Sequence, residues 1–355
     1  MLLACPPLSN LLGVTTMPKR RRLTELERIP CTIAPQDFFE RFVATRTPCI
    51  LTGWTVNLLD SLKSVDCTVQ VEQRATVNDP FGQSRDRNVT MSFQDFLKHL
   101  NGPDHALYYL STQETDQIVA PPCHQLKLPT TLPWLPHLQL QSLNLWMGHF
   151  DDDAHSGLHH DFHDNLYCLV EGGGTKSFRL YPASEHASMA LYGTVHEVHE
   201  NGLITYEPTR ADGVPLAALE EEDGDASDDD SDEEEIVIGK GFDYESEEEF
   251  DAERQDDYDA LVNDEPVERP NNFSRIDPTR PRDELRKEYP DFWALDELQV
   301  TIQAGECLYL PASWFHCVTS KGRHTAVNYW FHPPDNLQSF EQPYKDDYWA
   351  RQASS

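Results

Sequence analysis

Two features of this 355-residue chain predict a mainly β fold, a jelly roll with a few flanking helices. From Ser142 to Tyr181 and again from Leu298 to Phe331, short apolar runs alternate with turns that contain Gly or Pro, and there is no internal repeat. Many short strands without a repeat are the pattern of a barrel or jelly roll. Between the two strand-rich halves, residues 220–268 carry 25 acidic and two basic side chains. A segment so charged and so poor in apolar residues cannot bury enough surface to offset its ordering entropy. It is expected to be a long disordered insertion within one domain, which the slow growth of loop-closure cost with length allows.

Each element follows from local pattern. Residues 1–28 are expected as a disordered basic tail, and 29–350 as a single domain interrupted by the insertion, whose bounds are set at 212–272. Pro35 to Ala44 has Phe38, Phe39, Phe42 and Val43 at helical spacing. Pro48 to Trp54 reads as a short buried strand ending in a glycine turn. Ser92 to Leu100 is a second amphipathic helix, with Ser92 as N-cap and Gly102 past its end. Ala106 to Leu110 is a strand candidate, and the Pro-rich stretch from Val119 to Pro136 reads as an extended connection. Further strands are expected at 144–148, 159–170, 176–181, 298–302, 307–310, 314–318 and 325–331.

Charge and cysteine usage narrow the function classes. The net charge is −33, most of it from the acidic block. No broad basic face is available for nucleic acid, so the expected partner is a basic protein or peptide. The eight cysteines are scattered, with no C-x-x-C pair, which suits a reduced nuclear or cytoplasmic setting better than a disulfide framework. Lys19, Arg20, Arg21 and Arg22 form a short basic cluster that reads either as a nuclear import signal or as a solvated tail. No apolar run approaches membrane-spanning length, and the first residues lack the charge pattern of a secretory signal. The oligomeric state stays open, a homodimer included.

The residues suited to chemistry cluster at Leu158-His159-His160-Asp161. On a strand, His159 and Asp161 share a face and His160 points away. One imidazole and one carboxylate on a common face are two of the three ligands of a facial triad, which holds Fe(II) and leaves positions open. His316, on a later strand, is the third candidate, facing the first two across the mouth of the barrel. A zinc site using His159 and His163 on a helix is disfavoured, because no glutamate adjoins His159 and the glycines at 157 and 172–174 break helical continuity. Taken alone, H-x-D also fits a hydrogen-bonded surface pair. Lys176 shares a face with Phe178 and Leu180, a costly place for a lysine unless an anion pairs with it or its stem lets it reach solvent. Asn328 shares a face with Ala326 and Trp330, either as a ligand contact or as an ordinary core amide.

Two longer runs resemble the jumonji-C oxygenases. One is Ser156-Gly-Leu-His159-His-Asp161-Phe-His-Asp-Asn165-Leu-Tyr-Cys, followed by Lys176-Ser-Phe-Arg-Leu-Tyr-Pro. The other is Ala304-Gly-Glu-Cys-Leu-Tyr-Leu-Pro311-Ala-Ser-Trp314-Phe-His316, followed by Ala326-Val-Asn328-Tyr-Trp-Phe. Within that family they look closest to its small lysyl hydroxylases. The resemblance spans Ile29 to Tyr348 without the acidic block and implies a cupin-like double-stranded β-helix. By family role, His159, Asp161 and His316 would bind Fe(II), and Lys176 would pair with the carboxylate of 2-oxoglutarate. Tyr109, Ser156, Asn165 and Asn328 would supply further co-substrate contacts, with no catalytic side chain beyond the metal ligands. The chemistry implied uses O2 and 2-oxoglutarate, releases succinate and CO2, and hydroxylates a protein side chain, lysine being one candidate. Demethylation of lysine or arginine and hydroxylation of a tRNA base are alternatives with the same chemistry, and a catalytically silent cupin-type binding protein is the alternative outside enzymes. A peptidase activity, also described within this branch, finds no Cys/His, Ser/His or zinc motif here. The three-glycine turn before Lys176 and the acidic block depart from the family pattern.

Overall fold

Along the central strands, alternate residues face different cores. Leu166 and Cys168 pack into one cluster, while Tyr167 and Leu169 pack into another. Cys307 and Tyr309 are divided in the same way from Leu308 and Leu310. Period-two strands covered on both faces give this double burial. The mainly β architecture expected from the sequence is what the computed structural model shows; it describes residues 25–56, 58–77, 88–113, 115, 117–219 and 269–353. The acidic run 220–268 and the basic cluster at 19–22 lie outside the described residues.

In chain order the strands are β1 (Arg28–Pro30), β2 (Cys49–Thr52), β3 (Thr68–Gln73), β4 (Asn88–Ser92), β5 (Tyr108–Leu110), β6 (Leu140–His160) and β7 (Asp164–Glu171). They continue with β8 (Thr175–Tyr181), β9 (Glu197–Val198), β10 (Ile204–Thr205), β11 (Leu298–Ile302), β12 (Glu306–Leu310) and β13 (Phe315–Phe331). The large sheet runs β1-β2-β12-β7-β13-β6-β5-β3-β4, with β8 joining β11 to β13. β13 organises the fold. It pairs with β6 along nearly its whole length, with β8 through Phe315–Lys321 and with β7 through Thr325–Phe331. Between those two halves it turns at Gly322, whose φ is +70°. A Cβ on Gly174 would stand 2.5 Å from the carbonyl oxygen of Lys321, and one on Gly172 would collide with that of Arg323. The extra glycines before Lys176 therefore let the β7–β8 turn lie against the bend of β13.

The helices follow their sequence signals. Residues 35–43 form a helix, π-type from Phe39 onward, that buries Phe38, Phe39, Phe42 and Val43. Phe93–Leu100 is capped by Ser92, whose hydroxyl accepts from Asp95 N, and buries Phe93, Phe96 and Leu100.

Several expected boundaries change. Residues 159–170 form two strands broken at Asp161–His163, and 314–318 and 325–331 join into β13. The expected extended stretch contains a helix at Pro121–Gln125, because prolines at its first turn need no amide donor there. The fold also reaches into segments assigned to the tail and the insertion. Leu26 is buried and Arg28 opens β1. Asp212 and Val214 are fully buried, with Asp212 paired to Arg210, and Asn272 donates to the carbonyl of His160. The low apolar content that blurred these edges belongs to the neighbouring charge run, not to the residues that pack. Cys168 and Cys307, opposed in register on β7 and β12, are disulfide-paired, whereas Cys31, Cys49, Cys67, Cys123 and Cys317 are free. No helix of the described residues is long and apolar enough to cross a membrane.

Candidate active site

His159 is the next-to-last residue of β6 and His316 the second of β13, and the two are direct partners in the antiparallel ladder. Opposed residues of such a pair project to the same face, which brings their rings to 4.3 Å between centroids. The strands are thus hydrogen-bonded neighbours, not strands facing each other across the barrel mouth as the jelly-roll expectation had them. Asp161, just past β6, turns its carboxylate to both rings. Oδ1 is 3.9 Å from His159 Nε2 and Oδ2 is 3.6 Å from His316 Nε2. One ligand atom from each of the three lies within 4.8 Å of the others.

Hydrogen bonding fixes what these atoms can do. His159 Nδ1 lies 3.2 Å from the Gly157 carbonyl, and His316 Nδ1 lies 3.0 Å from that of Trp314. A carbonyl only accepts, so both Nδ1 atoms carry the proton. In the neutral rings each Nε2 then presents a lone pair toward the carboxylate. Burial pushes His159 down to about 4, with His316 adding to the shift and Asp161 opposing it. Burial acts to raise the Asp161 carboxyl, but His316, His159 and the Asn165 amide outweigh it and hold it below the usual range. Two imidazole Nε2 atoms and one carboxylate converge on one point, an arrangement that suits a divalent cation. The donor set, two imidazoles and one carboxylate, matches non-haem Fe(II). His160 points away, as its strand position predicts, and binds the Tyr206 hydroxyl at 2.9 Å.

Lys176, on the apolar face of β8, is 1% exposed. Its Nζ donates to Tyr109 Oη at 2.9 Å and to Ser320 Oγ at 2.6 Å, and it lies over the Tyr109 and Tyr167 rings. Among the described residues it has no carboxylate partner, and burial alone pulls its pKa down to about 7. A buried ammonium held only by hydroxyls and ring faces suits an incoming anion.

A chain of amides links this region to the metal-ligand set. Trp146 Nε1 donates to Asn328 Oδ1, Asn328 Nδ2 to Asn165 Oδ1, and Asn165 Nδ2 to Asp161 Oδ2, at 2.7, 3.4 and 3.2 Å. Tyr109 and Lys176 bond to each other, Asn165 and Asn328 belong to the amide chain that reaches Asp161, and the Trp146 ring at the head of that chain lies 5.9 Å from the Tyr109 ring. Ser156 joins neither set: its hydroxyl donates to Gly157 O and accepts from Val318 N, tying β6 to β13.

Sequence reasoning missed three supporting features. Arg46 makes a two-pronged pair with Asp164, at 2.8 and 2.6 Å, and Tyr309 Oη and Ala312 N also donate to that buried carboxylate. Ser313 N donates to Asp161 O. Together these bonds clamp the turn bearing Asp161 to the turn that leads to His316. Arg46 carries no local motif, so its long-range pairing left no sequence signal. Trp146 and Ser320 are the second feature, visible only as register partners of Ala326 and Lys176. The third is Phe273, which stacks on the His159 ring at 4.7 Å between centroids.

Comparisons with known proteins agree with this geometry. The cupin-like domain family matches residues 35–337. The chain is 29% identical to JmjC domain-containing protein 4 of Schizosaccharomyces pombe, over 88% of this chain and 86% of the relative. It is 23% identical to the bifunctional peptidase and (3S)-lysyl hydroxylase JMJD7 of Homo sapiens, over 84% and 81%. It is 27% identical to lysine-specific demethylase JMJ32 of Arabidopsis thaliana, over 54% and 41%. The chain belongs to the cupin-like domain family, and the jumonji-C resemblance of its motifs is borne out by these relatives.

Proposed function

We propose that this protein is an Fe(II)- and 2-oxoglutarate-dependent hydroxylase of a protein side chain in a basic segment, with lysine the first candidate. The convergence of His159 Nε2, His316 Nε2 and the Asp161 carboxylate carries this reading. An iron ion held there would couple decarboxylation of 2-oxoglutarate to oxygen insertion into a C–H bond. The protein's own contribution is positional. The Nδ1 bonds to Gly157 and Trp314 aim both rings, and the Arg46–Asp164 clamp sets the spacing between Asp161 and His316. Lys176 would take the distal carboxylate of 2-oxoglutarate, oriented by Tyr109 and Ser320. Asn165 and Asn328 would hold Asp161 and the co-substrate in a fixed relation.

The −33 net charge supports a basic protein or peptide as substrate. Lysyl hydroxylase and lysine demethylase names both occur among the relatives. Mass spectrometry of basic proteins incubated with enzyme, Fe(II), O2 and 2-oxoglutarate separates the two reactions. Gain of one oxygen atom is expected; loss of a methyl group would make the protein a demethylase, and no change in any tested protein, together with no succinate, would overturn the proposal.

A further inference from the structure

Away from the active site, His105, His149 and Asp151 also bring one ligand atom each within 4.8 Å of the others. His105 opens the short 3-10 turn His105–Leu107 that leads into β5. His149 and Asp151 are two residues apart on β6 and so project to one face. His105 Nδ1 lies 2.9 Å from the carbonyl of Gly102 and must carry the proton there. Its Nε2 faces Asp151 Oδ2, 3.2 Å away. The His149 ring stacks on His105 at 4.1 Å, and its buried Nδ1 has no hydrogen-bond partner. Ligand atoms of a tetrahedral zinc site stand about 3.3–3.5 Å apart, from bond lengths of about 2.0–2.2 Å. The His105–Asp151 edge, at 3.2 Å, is within about 0.1 Å of that range, and Asp151 lies open to solvent, leaving a side for water.

We propose that His105, His149 and Asp151 form a second, peripheral binding site for a borderline divalent transition ion, with zinc the best match. Two imidazoles and one carboxylate select such ions over magnesium or calcium, which prefer oxygen-only shells. The ion would join the entrance of β5 to β6. Tyr109 follows on β5, opposite Gly148 of β6, and its hydroxyl holds Lys176. The site would thus brace the wall that carries the co-substrate lysine without touching the active-site ligands.

The test uses the full chain with Asp161→Ala, which removes the active-site metal set and leaves the peripheral cluster complete. The protein is stripped with a chelator and titrated with zinc by calorimetry, with magnesium in excess to occupy carboxylate-only sites. One zinc per chain is expected. Adding Asp151→Asn or His149→Gln should weaken that binding by more than roughly tenfold. Asp151 is exposed, so its substitution spares folding, and circular dichroism checks both variants. No zinc uptake by the Asp161→Ala protein, or uptake unchanged by both added substitutions, would overturn the proposal and leave an ordinary imidazolium–carboxylate pair.

Discussion

His159 and His316 are direct ladder partners, and the Asp161 carboxylate faces Nε2 of both rings. Asp161→Asn should weaken Fe(II) or Mn(II) binding by at least roughly a hundredfold and change metal-free thermal stability far less. Melting temperatures with and without metal measure both effects. A fall in metal-free stability would show that Asp161 is a structural ion-pair partner instead.

Lys176 gives a pH dependence with a definite sign. Burial lowers its pKa to about 7, so the protein without co-substrate loses this charge as pH rises through that value. A bound dicarboxylate favours the protonated form and raises the pKa. Binding of 2-oxoglutarate should then take up a proton above pH about 7, and affinity should fall with rising pH by up to about tenfold per unit. Calorimetry in buffers of different ionisation heat counts the protons. Lys176→Met should bind weakly at every pH and lose the proton uptake attributable to this lysine. A wild-type affinity flat from neutral to alkaline pH would remove Lys176 from the co-substrate site.

The Arg46–Asp164 pair should matter to both stability and activity. Asp164 is fully buried and accepts from Arg46, Tyr309 and the amide of Ala312. Arg46→Ala strands that carboxylate and should cost about 3–5 kcal/mol of folding stability. Activity should fall even at temperatures where the variant stays folded, because the spacing of Asp161 and His316 loosens. Urea unfolding and succinate assays on the same preparation test this. A variant with lowered stability and full turnover would reduce the clamp to a structural role.

Much of this site was legible in the chain itself, for reasons of local geometry. Alternation along a strand separates His159 and Asp161 from His160, and places Lys176 beside Phe178 and Leu180. The β8 burial pattern and the His160–Tyr206 bond agree. What stayed hidden depends on register between distant segments. Arg46 meets Asp164 across 118 residues, and Ser320 meets Lys176 across 144. Composition likewise placed the edges of the acidic block too widely, since a charge run gives no sign of where packing resumes.

Those edges yield a further prediction. Deleting 220–268 should leave basal turnover of 2-oxoglutarate unchanged and slow association with a basic protein, most visibly at low salt. Extending the deletion to 212–272 should damage folding and turnover, because it removes the buried Asp212–Arg210 pair and the Asn272 bond to His160. Phe273→Ala isolates the ring that stacks on His159 and should weaken metal binding several-fold with little change in secondary structure. Circular dichroism, metal titration and succinate assays compare the three proteins. Equal behaviour of both deletions would mean that residues 212–219 and 269–272 are dispensable.

The most direct test of an oxygenase site built on His159, Asp161 and His316 is succinate release from 2-oxoglutarate by the purified chain. The assay is run in air with Fe(II) and a basic protein extract, alongside Asp161→Ala. The expected result is succinate formation that needs both iron and oxygen and disappears in Asp161→Ala. Succinate released by Asp161→Ala at the wild-type rate, or none released by the folded, iron-loaded wild type, would contradict it.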